Sequence, residues 1–336
     1  MIRVGLIGYG YWGPNLARNL AETDGVCLQA IADTRADRRE RAARRHPGVA
    51  IDADPAALIE HRDIDAIVVA TPLATHHDLT AAAMRAGKHV LVEKPLAASR
   101  QDAEHLAALA ATHGVRLMVD HTFVYTGAVR AMRSMIERAD LGDLLYLDSV
   151  RVNLGLFQQD ANVIWDLATH DLAIMDYLID AHPVAVSANG ARVAGFAHEN
   201  IAYITVHFDS GFLCHFHVNW LAPVKIRRML IGGSQRMLVY DDLDPSEKLR
   251  VYDKGVDFDA PDEQTRREIL VSYRTGDMHA PKLDRSETLS LVIAEFAGAI
   301  EQRRQPLTGA SAGIRVVTLL EAAEQSLRSD GRRISV

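Results

Sequence analysis

The sequence predicts an α/β protein: an N-terminal doubly wound parallel sheet, followed by an α+β domain with an open, mostly antiparallel sheet. Short apolar strands alternate with helical segments from residue 2 to about residue 120, which is the pattern of a parallel sheet covered by helices. Beyond residue 122 the alternation stops, and β-rich segments follow one another with only turn residues between them. A chain of 336 residues is long enough for two hydrophobic cores. We therefore expect one domain over residues 1–121 and a second over residues 122–336.

The strands of the first half are short and mostly apolar, as expected of strands covered on both faces. They are predicted at Ile2–Ile7, Val26–Ala32, Ala66–Ala70, His89–Val92 and Arg116–Asp120. Helices are predicted over 77–86 and 100–112, because Gly87 and Gly114 stand where these helices should end. Each glycine is followed at once by the next strand, which is the βα repeat of a doubly wound sheet.

The second half begins with helices near 127–138 and 163–179, with one strand between them. Its later strands are predicted at Val184–Val193, Ile201–Phe208, Phe212–Asn219, Arg227–Ile231 and Met237–Asp241. Connections as short as Asp209-Ser210-Gly211 join antiparallel strands, because parallel neighbours need a longer crossover. Two further helices, over 286–302 and 309–329, follow these strands.

Composition and charge exclude several classes of protein. Hydrophobic residues make up 48% and charged residues 24% of the chain, which is the balance of a folded globular protein and not of a disordered one. The net charge of −7 is unfavourable for binding nucleic acid. Cys27 and Cys214 are too few and too far apart for a disulfide framework, which favours a reducing, cytoplasmic location. We expect no membrane segment and no metal site, since no long apolar stretch or ligand spacing occurs.

A dinucleotide fingerprint follows the first strand directly. It reads Gly8-Tyr9-Gly10-Tyr11-Trp12-Gly13, and Asp33 lies 20 residues beyond Gly13 at the end of the second strand. Gly8 permits the tight turn, Gly10 lets the backbone approach a pyrophosphate, and Gly13 allows close helix packing. Tyr11 and Trp12 share this loop. The spacing predicts a Rossmann site for NAD.

The end of the second strand bears on the choice between NAD and NADP. Asp33 is placed to accept hydrogen bonds from the adenosine ribose, and its charge repels a 2′-phosphate, which favours NAD. Thr34 and Arg35 follow it, and Arg35 would suit a 2′-phosphate, so NADP stays possible. The arginines between residues 35 and 45 also fit a solvated helix face.

Two further turns lie where a nicotinamide is expected, at the carboxyl ends of the third and fourth strands. Glu93-Lys94-Pro95 follows the fourth strand, and Lys94 would polarise a hydroxyl or carbonyl oxygen, unless it forms only a surface ion pair. Thr71, Pro72 and His76 follow the third strand, where they either contact the cofactor or cap the next helix.

An acid and a histidine are spaced four residues apart in the second half. Asp166 and His170 fall on one face of the predicted helix, so that the carboxylate can orient the imidazole. Imidazole titrates near neutral pH and can accept the proton of an alcohol while a hydride leaves its carbon. The alternative is a surface pair without chemistry.

Together these motifs resemble the Gfo/Idh/MocA oxidoreductases, and the resemblance covers nearly all of the chain. It implies an NAD(P)-binding Rossmann domain over 1–121 and a substrate-binding and oligomerisation domain over 122–336, whose open sheet packs against another subunit in a homodimer or homotetramer. It implies that Lys94, Asp166 and His170 are catalytic, with either His170 or Lys94 as the proton carrier. The implied cofactor contacts are Gly8, Gly10, Tyr11, Trp12, Gly13, Asp33, Thr34, Arg35, Thr71, Pro72, His76, Glu93 and Lys94.

The resemblance is nearest to members of nucleotide-sugar and inositol dehydrogenase type. Asn162-Val163-Ile164-Trp165 replaces a Gly-Gly pair that members often carry, which bears on substrate shape. We expect hydride transfer between nicotinamide and a secondary hydroxyl of a sugar, most simply a nucleotide-linked hexose or uronic acid. The candidate substrate contacts are Tyr125, Arg151, Asn153, Trp165 and His170. The alternatives are an inositol or free-sugar dehydrogenase, an NAD-dependent oxidising glycosidase and a non-catalytic NAD-sensing regulator.

Overall fold

The chain divides into two compact units in the computed structural model, which describes residues 1–155, 161–253 and 276–336. The first unit comprises Met1–Tyr125 and Ser286–Thr318, and the second comprises Thr126–Arg285 and Leu319–Val336. The first break lies close to the expected boundary at residue 121. The segment 286–318 differs from expectation, because it belongs to the first unit and not to the second.

The first unit is built on a six-stranded parallel sheet in the order β3-β2-β1-β4-β5-β6. Its strands are β1 Ile2–Ile7, β2 Val26–Ala32, β3 Ala50–Asp52, β4 Ala66–Val69, β5 His89–Glu93 and β6 Leu117–Asp120. The strand order reverses between β1 and β4, and ligands of doubly wound sheets bind at the carboxyl ends of the strands beside such a reversal. The parallel Rossmann sheet is thus confirmed, and the short edge strand β3 adds to the predicted set.

Five of the six helices with predicted bounds lie close to them in the described ranges, and the helix predicted at 163–179 is α-helical only from Thr169. The helices are α1 Gly13–Glu22, α2 Ala36–Arg45, α3 Pro55–Glu60, α4 His76–Arg85, α5 Arg100–His113, α6 Gly127–Glu137, α7 Thr169–Leu178, α8 Thr288–Glu301 and α9 Ala310–Leu327. The Ser99 side chain accepts a hydrogen bond from the Asp102 amide and begins α5, and Gly114 ends it at φ +64°, in the left-handed region. No helix of the described ranges combines the length and apolarity needed to cross a membrane.

Segment 286–318 joins the first unit through strand β6. The Val119 amide donates to the carbonyl oxygen of Thr308 at 2.8 Å, and the Thr308 hydroxyl donates to the carbonyl oxygen of Val119 at 2.7 Å. The same segment also contacts α1, where the Asn19 side-chain amide donates to Glu287 at 3.0 Å. The segment therefore satisfies backbone groups at the sheet edge, although it follows β6 by well over a hundred residues.

The second unit contains a nine-stranded sheet among its described residues, in the order β14-β13-β12-β11-β7-β10-β9-β8-β15. Its strands are β7 Leu144–Leu154, β8 Pro183–Ala191, β9 Ile201–Phe208, β10 Leu213–Asn219, β11 Leu221–Gly233, β12 Met237–Asp241, β13 Leu249–Tyr252, β14 Met278–His279 and β15 Ile334–Ser335. The β7–β10 pair is parallel and the other pairs are antiparallel. The open, mostly antiparallel sheet is confirmed.

Candidate active site

The glycines of the β1–α1 loop have the steric roles expected of a dinucleotide fingerprint. Gly8 adopts φ +102°, and a Cβ atom there would lie 2.4 Å from the Ala70 carbonyl oxygen. A Cβ on Gly13 would lie 2.6 Å from the Gly8 carbonyl oxygen. A Cβ on Gly10 would meet only the Arg38 guanidinium as its nearest neighbour, at 3.4 Å. The backbone at Gly10 is therefore open to a ligand, while the backbone at Gly8 and Gly13 packs directly against other backbone atoms.

The N-terminus of α1 fits an anion. The residue before this helix, Trp12, forms no capping hydrogen bond through its side chain. The first turn of the helix contains no acidic residue. The positive end of the helix dipole is thus left for a bound anion. Tyr11 and Trp12 are 73% and 47% exposed, so their rings stand at the surface of the loop.

Asp33 ties the end of β2 to this loop. Its carboxylate accepts hydrogen bonds from the backbone amides of Tyr9 at 2.7 Å and Arg35 at 2.9 Å. The Arg35 side chain turns away to Asp37, at 2.9 and 3.0 Å, and is largely exposed. The guanidinium nearest to the Asp33 carboxylate is instead that of Arg38, at 3.4 Å.

Two other arginines of α2 hold the loop. Arg39 donates to the carbonyl oxygens of Asp33 and Thr34, both at 2.9 Å. Arg41 donates to the Tyr9 carbonyl oxygen at 2.7 Å and lies over the Tyr9 ring. Arg39 and Arg41 therefore contact the backbone around the fingerprint, while Arg44 and Arg45 are exposed, as expected of a solvated helix face.

His76 connects the turns that follow β4 and β5. Its ring nitrogens lie 2.9 Å from the Thr71 carbonyl oxygen and 2.8 Å from the Pro95 carbonyl oxygen, and the side chain is 1% exposed. Pro72 accepts a bond from the Thr75 hydroxyl in the same turn. His76 therefore links the turn that follows β4 to the turn that follows β5.

Glu93 and Asp120 form an acidic pair at the carboxyl ends of β5 and β6. They are register partners in the parallel sheet, so their side chains lie on the same face. Loss of solvent raises the pKa of both carboxyl groups, the Asp120 charge raises the pKa of Glu93 further, and the Lys94 ammonium opposes both shifts. The Thr122 hydroxyl donates to Asp120 at 2.6 Å. The Lys94–Pro95 peptide bond is cis.

His121 completes this cluster. Neither ring nitrogen has a hydrogen-bond partner among the described residues, and the side chain is 2% exposed. Burial, aided by the Lys94 charge, lowers the pKa of His121 to about 3, so its ring is neutral at physiological pH. Asp120 and His121 were expected only at the end of the fifth predicted strand, without a role in the site, although that strand end lies beside Glu93 in the sheet.

Asp166 and His170 lie at a change of helix type. A π-helical turn, Ile164–Ala168, leads directly into α7. Residues four apart lie near one face in a π turn as they do in an α turn, so a shared face for Asp166 and His170 stays a prediction. The indole nitrogen of Trp220 donates to the Asp166 carboxylate at 3.0 Å. Trp220 is a site residue that sequence spacing did not reveal.

Three of the predicted substrate contacts are buried and engaged by the protein. The Arg151 guanidinium bonds the Asp171 carboxylate at 2.7–3.1 Å, with both side chains under 5% exposed. Trp165 donates to Glu324 at 2.9 Å. The Tyr125 hydroxyl lies 2.9 Å from that of Thr308, inside the first unit. These contacts favour structural roles.

Asn153 and His170, the other two candidates, are only partly buried. Asn153 packs against Gly155, where a Cβ would lie 2.4 Å from its side-chain nitrogen.

Comparison with known proteins decides the family. Residues 2–121 match the oxidoreductase family with an NAD-binding Rossmann fold, and residues 129–239 match the GFO/IDH/MocA C-terminal domain. The uncharacterized oxidoreductase YdgJ of Escherichia coli strain K12 is 30% identical over 265 residues, which are 74% of this chain and 73% of that protein. The chain belongs to the Gfo/Idh/MocA oxidoreductase family.

Two other relatives in the Gfo/Idh/MocA comparison have named activities. UDP-N-acetylglucosamine 3-dehydrogenase of Acidithiobacillus ferrooxidans is 28% identical over 320 residues, which are 94% of each chain. A solved structure of that enzyme from the same organism has a TM-score of 0.82 at 25% identity and covers 98% of each chain. Inositol 2-dehydrogenase 2 of Saccharopolyspora erythraea is 29% identical over 241 residues, 69% of this chain and 71% of that protein.

The fold and family establish this Gfo/Idh/MocA chain as an NAD-binding oxidoreductase. Its first unit carries the glycine loop, the uncapped helix end and Asp33, a set that fits a dinucleotide.

Proposed function

We propose that the protein is an NAD-dependent sugar dehydrogenase that oxidises a secondary hydroxyl of a nucleotide-linked hexose or uronic acid. The observation that carries the proposal is the Asp166–His170 spacing at a π turn, with the carboxylate held by Trp220. An oriented imidazole is the base that alcohol oxidation needs. The similarity to UDP-N-acetylglucosamine 3-dehydrogenase over 94% of both chains supports a nucleotide sugar.

The cofactor is held by the first unit in this proposal. The Gly8–Gly13 loop and the N-terminus of α1 bind the pyrophosphate, and Asp33 meets the adenosine ribose. NAD supplies the hydride acceptor when bound. The remaining proposed cofactor contacts are Tyr11, Trp12, Thr34, Arg35, Thr71, Pro72, His76, Glu93 and Lys94.

Three residues carry the proton chemistry in this proposal. Lys94 donates a hydrogen bond to the reacting oxygen and stabilises its developing negative charge. His170 takes the hydroxyl proton, and Asp166 holds the ring in the orientation that presents a nitrogen to that proton. General-base catalysis of this kind contributes about 10²- to 10⁴-fold in rate. Asn153 is the proposed substrate contact whose side chain is not committed to the core.

An inositol or free-sugar dehydrogenase is the second candidate. The similarity to inositol 2-dehydrogenase 2 favours it. An inositol or a free sugar has no diphosphate, so the protein needs no cationic group to bind one. Turnover of inositols or free hexoses, and not of nucleotide sugars, would therefore favour this candidate.

The test is a turnover assay with matched variants. Purified protein is incubated with NAD and a panel of nucleotide sugars, uronic acids, inositols and free hexoses, and absorbance is followed at about 340 nm. We expect reduction with one nucleotide sugar, and a loss of kcat of about 10²-fold or more for His170→Ala and for Lys94→Ala. The control is His182→Ala, an exposed residue of the second unit, with unchanged turnover.

Near wild-type turnover in both catalytic variants would remove the assignment of His170 and Lys94. NAD binding without turnover on any alcohol would point to a sensor or an internally recycling enzyme in place of a dehydrogenase.

A further inference from the structure

We propose that Lys225, with Arg227 beside it, binds an anionic group of the sugar substrate, either the diphosphate of a nucleotide sugar or the carboxylate of a uronic acid. The inference rests on the proposed function, because it names the charge that the oxidised sugar should carry. Lys225 and Arg227 are called the anion site below, and all residues that support it lie in the second unit.

Lys225 lies in a bulge of strand β11. The register of the pairing between β11 and β7 shifts between Leu221 and Ile226. Residues 222–225 therefore stand opposite Asn153 alone, and the Lys225 side chain is exposed. Bulges interrupt a ladder and re-aim side chains, and they are over-represented next to active sites. Since Asn153 is a proposed substrate contact, the bulge places an exposed cation where a substrate is expected.

Both ends of this bulge are tied to the proposed catalytic residues. The indole nitrogen of Trp220, which precedes β11, donates to the Asp166 carboxylate at 3.0 Å. At the other end, Arg227 is the register partner of Arg151, whose guanidinium bonds the acid that follows His170 in α7. The anion site is therefore built on the same strands and contacts that hold the proposed catalytic acid and base.

Positive charge exceeds negative charge at the anion site. The Asp242 carboxylate lies 3.1 Å from the Arg227 guanidinium and also 3.1 Å from the Lys248 ammonium, so one acid serves two cations. Lys225 is a third cation, and it forms no hydrogen bond or ion pair with any residue that the structure describes. Its ammonium can therefore bind an anion without giving up a protein partner.

The cations of the anion site repel each other. The Arg227 charge, followed by burial, lowers the pKa of Lys225, which shows that the two charges interact. An anion held between an ammonium and a guanidinium accepts hydrogen bonds from both and removes this repulsion. Inositols and free hexoses carry no charge and gain nothing from such a pair, so the anion site favours a nucleotide sugar or a uronic acid.

The test measures binding of anionic and neutral probes by calorimetry. The full-length protein is kept in excess NADH, which fills the Rossmann site and prevents oxidation of a sugar during the titration. The probes are UDP-N-acetylglucosamine, UDP, glucuronate and N-acetylglucosamine, and the proteins are the wild type, Lys225→Gln and Lys225→Arg. Loss of affinity confined to the two UDP probes would identify the diphosphate as the bound group, and loss confined to glucuronate would identify the carboxylate.

We expect the wild type to bind at least one anionic probe more tightly than N-acetylglucosamine. Lys225→Gln should lose about 10- to 100-fold in affinity for that anionic probe, the effect of one charge-assisted contact. Lys225→Arg should keep most of the affinity, and added salt should weaken the anionic probe, because the contact is ionic. An unchanged Tm in excess NADH would show that the variants are folded.

The matched control is Arg228→Gln. Arg228 is an exposed cation of the same strand that pairs with Asp241, and alternation along the strand puts it on the opposite face from Arg227. We expect this variant to bind every probe like the wild type. An equal loss in Arg228→Gln and Lys225→Gln would mean that only the net charge of the protein matters, and it would overturn the anion site.

Two further results would also overturn the anion site. One is a wild type that binds no anionic probe more tightly than N-acetylglucosamine, and the other is unchanged affinity in Lys225→Gln. The proposed function fails separately from this inference. Turnover of a neutral polyol without affinity for anions would remove the anion site and keep the dehydrogenase, while binding through Lys225 without turnover of any sugar would do the reverse.

Discussion

At the residue scale, the pair Glu93 and Asp120 makes the stability of the first unit depend on pH. The folded-state pKa of each carboxyl group is raised, chiefly by lost solvent, so folding favours the protonated form of each. The contribution to stability is therefore favourable at low pH. It is lost as the pH rises from the unfolded pKa values, near 4, through the folded ones.

Asp120→Asn tests this dependence. The amide keeps an oxygen that accepts the bond from Thr122, and it removes one of the two charges. We expect the free energy of unfolding to rise by about 1 kcal/mol at pH 8 and to change little at pH 4.5. Thermal or urea unfolding at the two pH values measures it. A gain of equal size at both values would mean that the charge is not the cause.

Residues also explain why the sequence did not reveal the partners of the proposed substrate contacts. Arg151, Trp165 and Tyr125 have the side chains of ligand contacts, but their polar atoms are engaged by Asp171, Glu324 and Thr308. Side-chain chemistry reveals what a residue can bind, and it does not reveal which partner folding supplies. The glycines were predictable because their roles depend on the backbone within one short loop.

At the element scale, a strand or helix can be predicted from the sequence when the residues that determine it lie within the element itself. Strands β1, β2, β9 and β12 have their predicted bounds, because an apolar run or an alternation is contained within each. Strand β3 was not predicted, because it has only three residues at the edge of the sheet and contains no apolar run. The sequence did not predict the π turn, because residues four apart share a face in a π turn nearly as they do in an α-helix. The association of 286–318 with β6 depends on contacts between distant residues.

Trp220→Phe tests whether the hydrogen bond from the Trp220 indole holds the Asp166 carboxylate in place. The variant removes the indole N–H that bonds the carboxylate and keeps an aromatic ring in a nearly fully buried position. Loss of one hydrogen bond to a charged group costs about 1.5–3 kcal/mol. If Asp166 orients His170, we expect kcat to fall about tenfold with KM nearly unchanged, besides a lower Tm.

The control for this variant is Tyr177→Phe, which removes a hydroxyl bonded by Arg130 on the same unit. It should leave kcat unchanged. A Trp220→Phe protein with lower Tm and normal kcat would restrict Trp220 to a structural role.

At the scale of the whole molecule, the second sheet presents a face that suits a further copy of the chain. Along β9 and β10, Ile204 and Phe216 are fully buried, while Tyr203 on the other face is 45% exposed. The Tyr203 ring stacks on His217 with centroids 4.5 Å apart, and Leu213 nearby is 40% exposed. An aromatic and aliphatic face on an open sheet favours burial against another sheet. The resemblance to Gfo/Idh/MocA proteins carries the same expectation.

We therefore expect a homodimer or homotetramer that assembles through this face. Tyr203→Asp places a charge on it, and burying an unpaired charge in an interface costs several kcal/mol, so the variant should shift to a smaller species. Light scattering coupled to size-exclusion chromatography measures the change, with Val193→Asp, 38% exposed just beyond β8, as the control. Retained NAD affinity would show that the first unit, which contains the proposed cofactor residues, is still folded in the variant. A wild type that is monomeric at micromolar concentration, or a Tyr203→Asp protein of unchanged mass, would exclude this face as the interface.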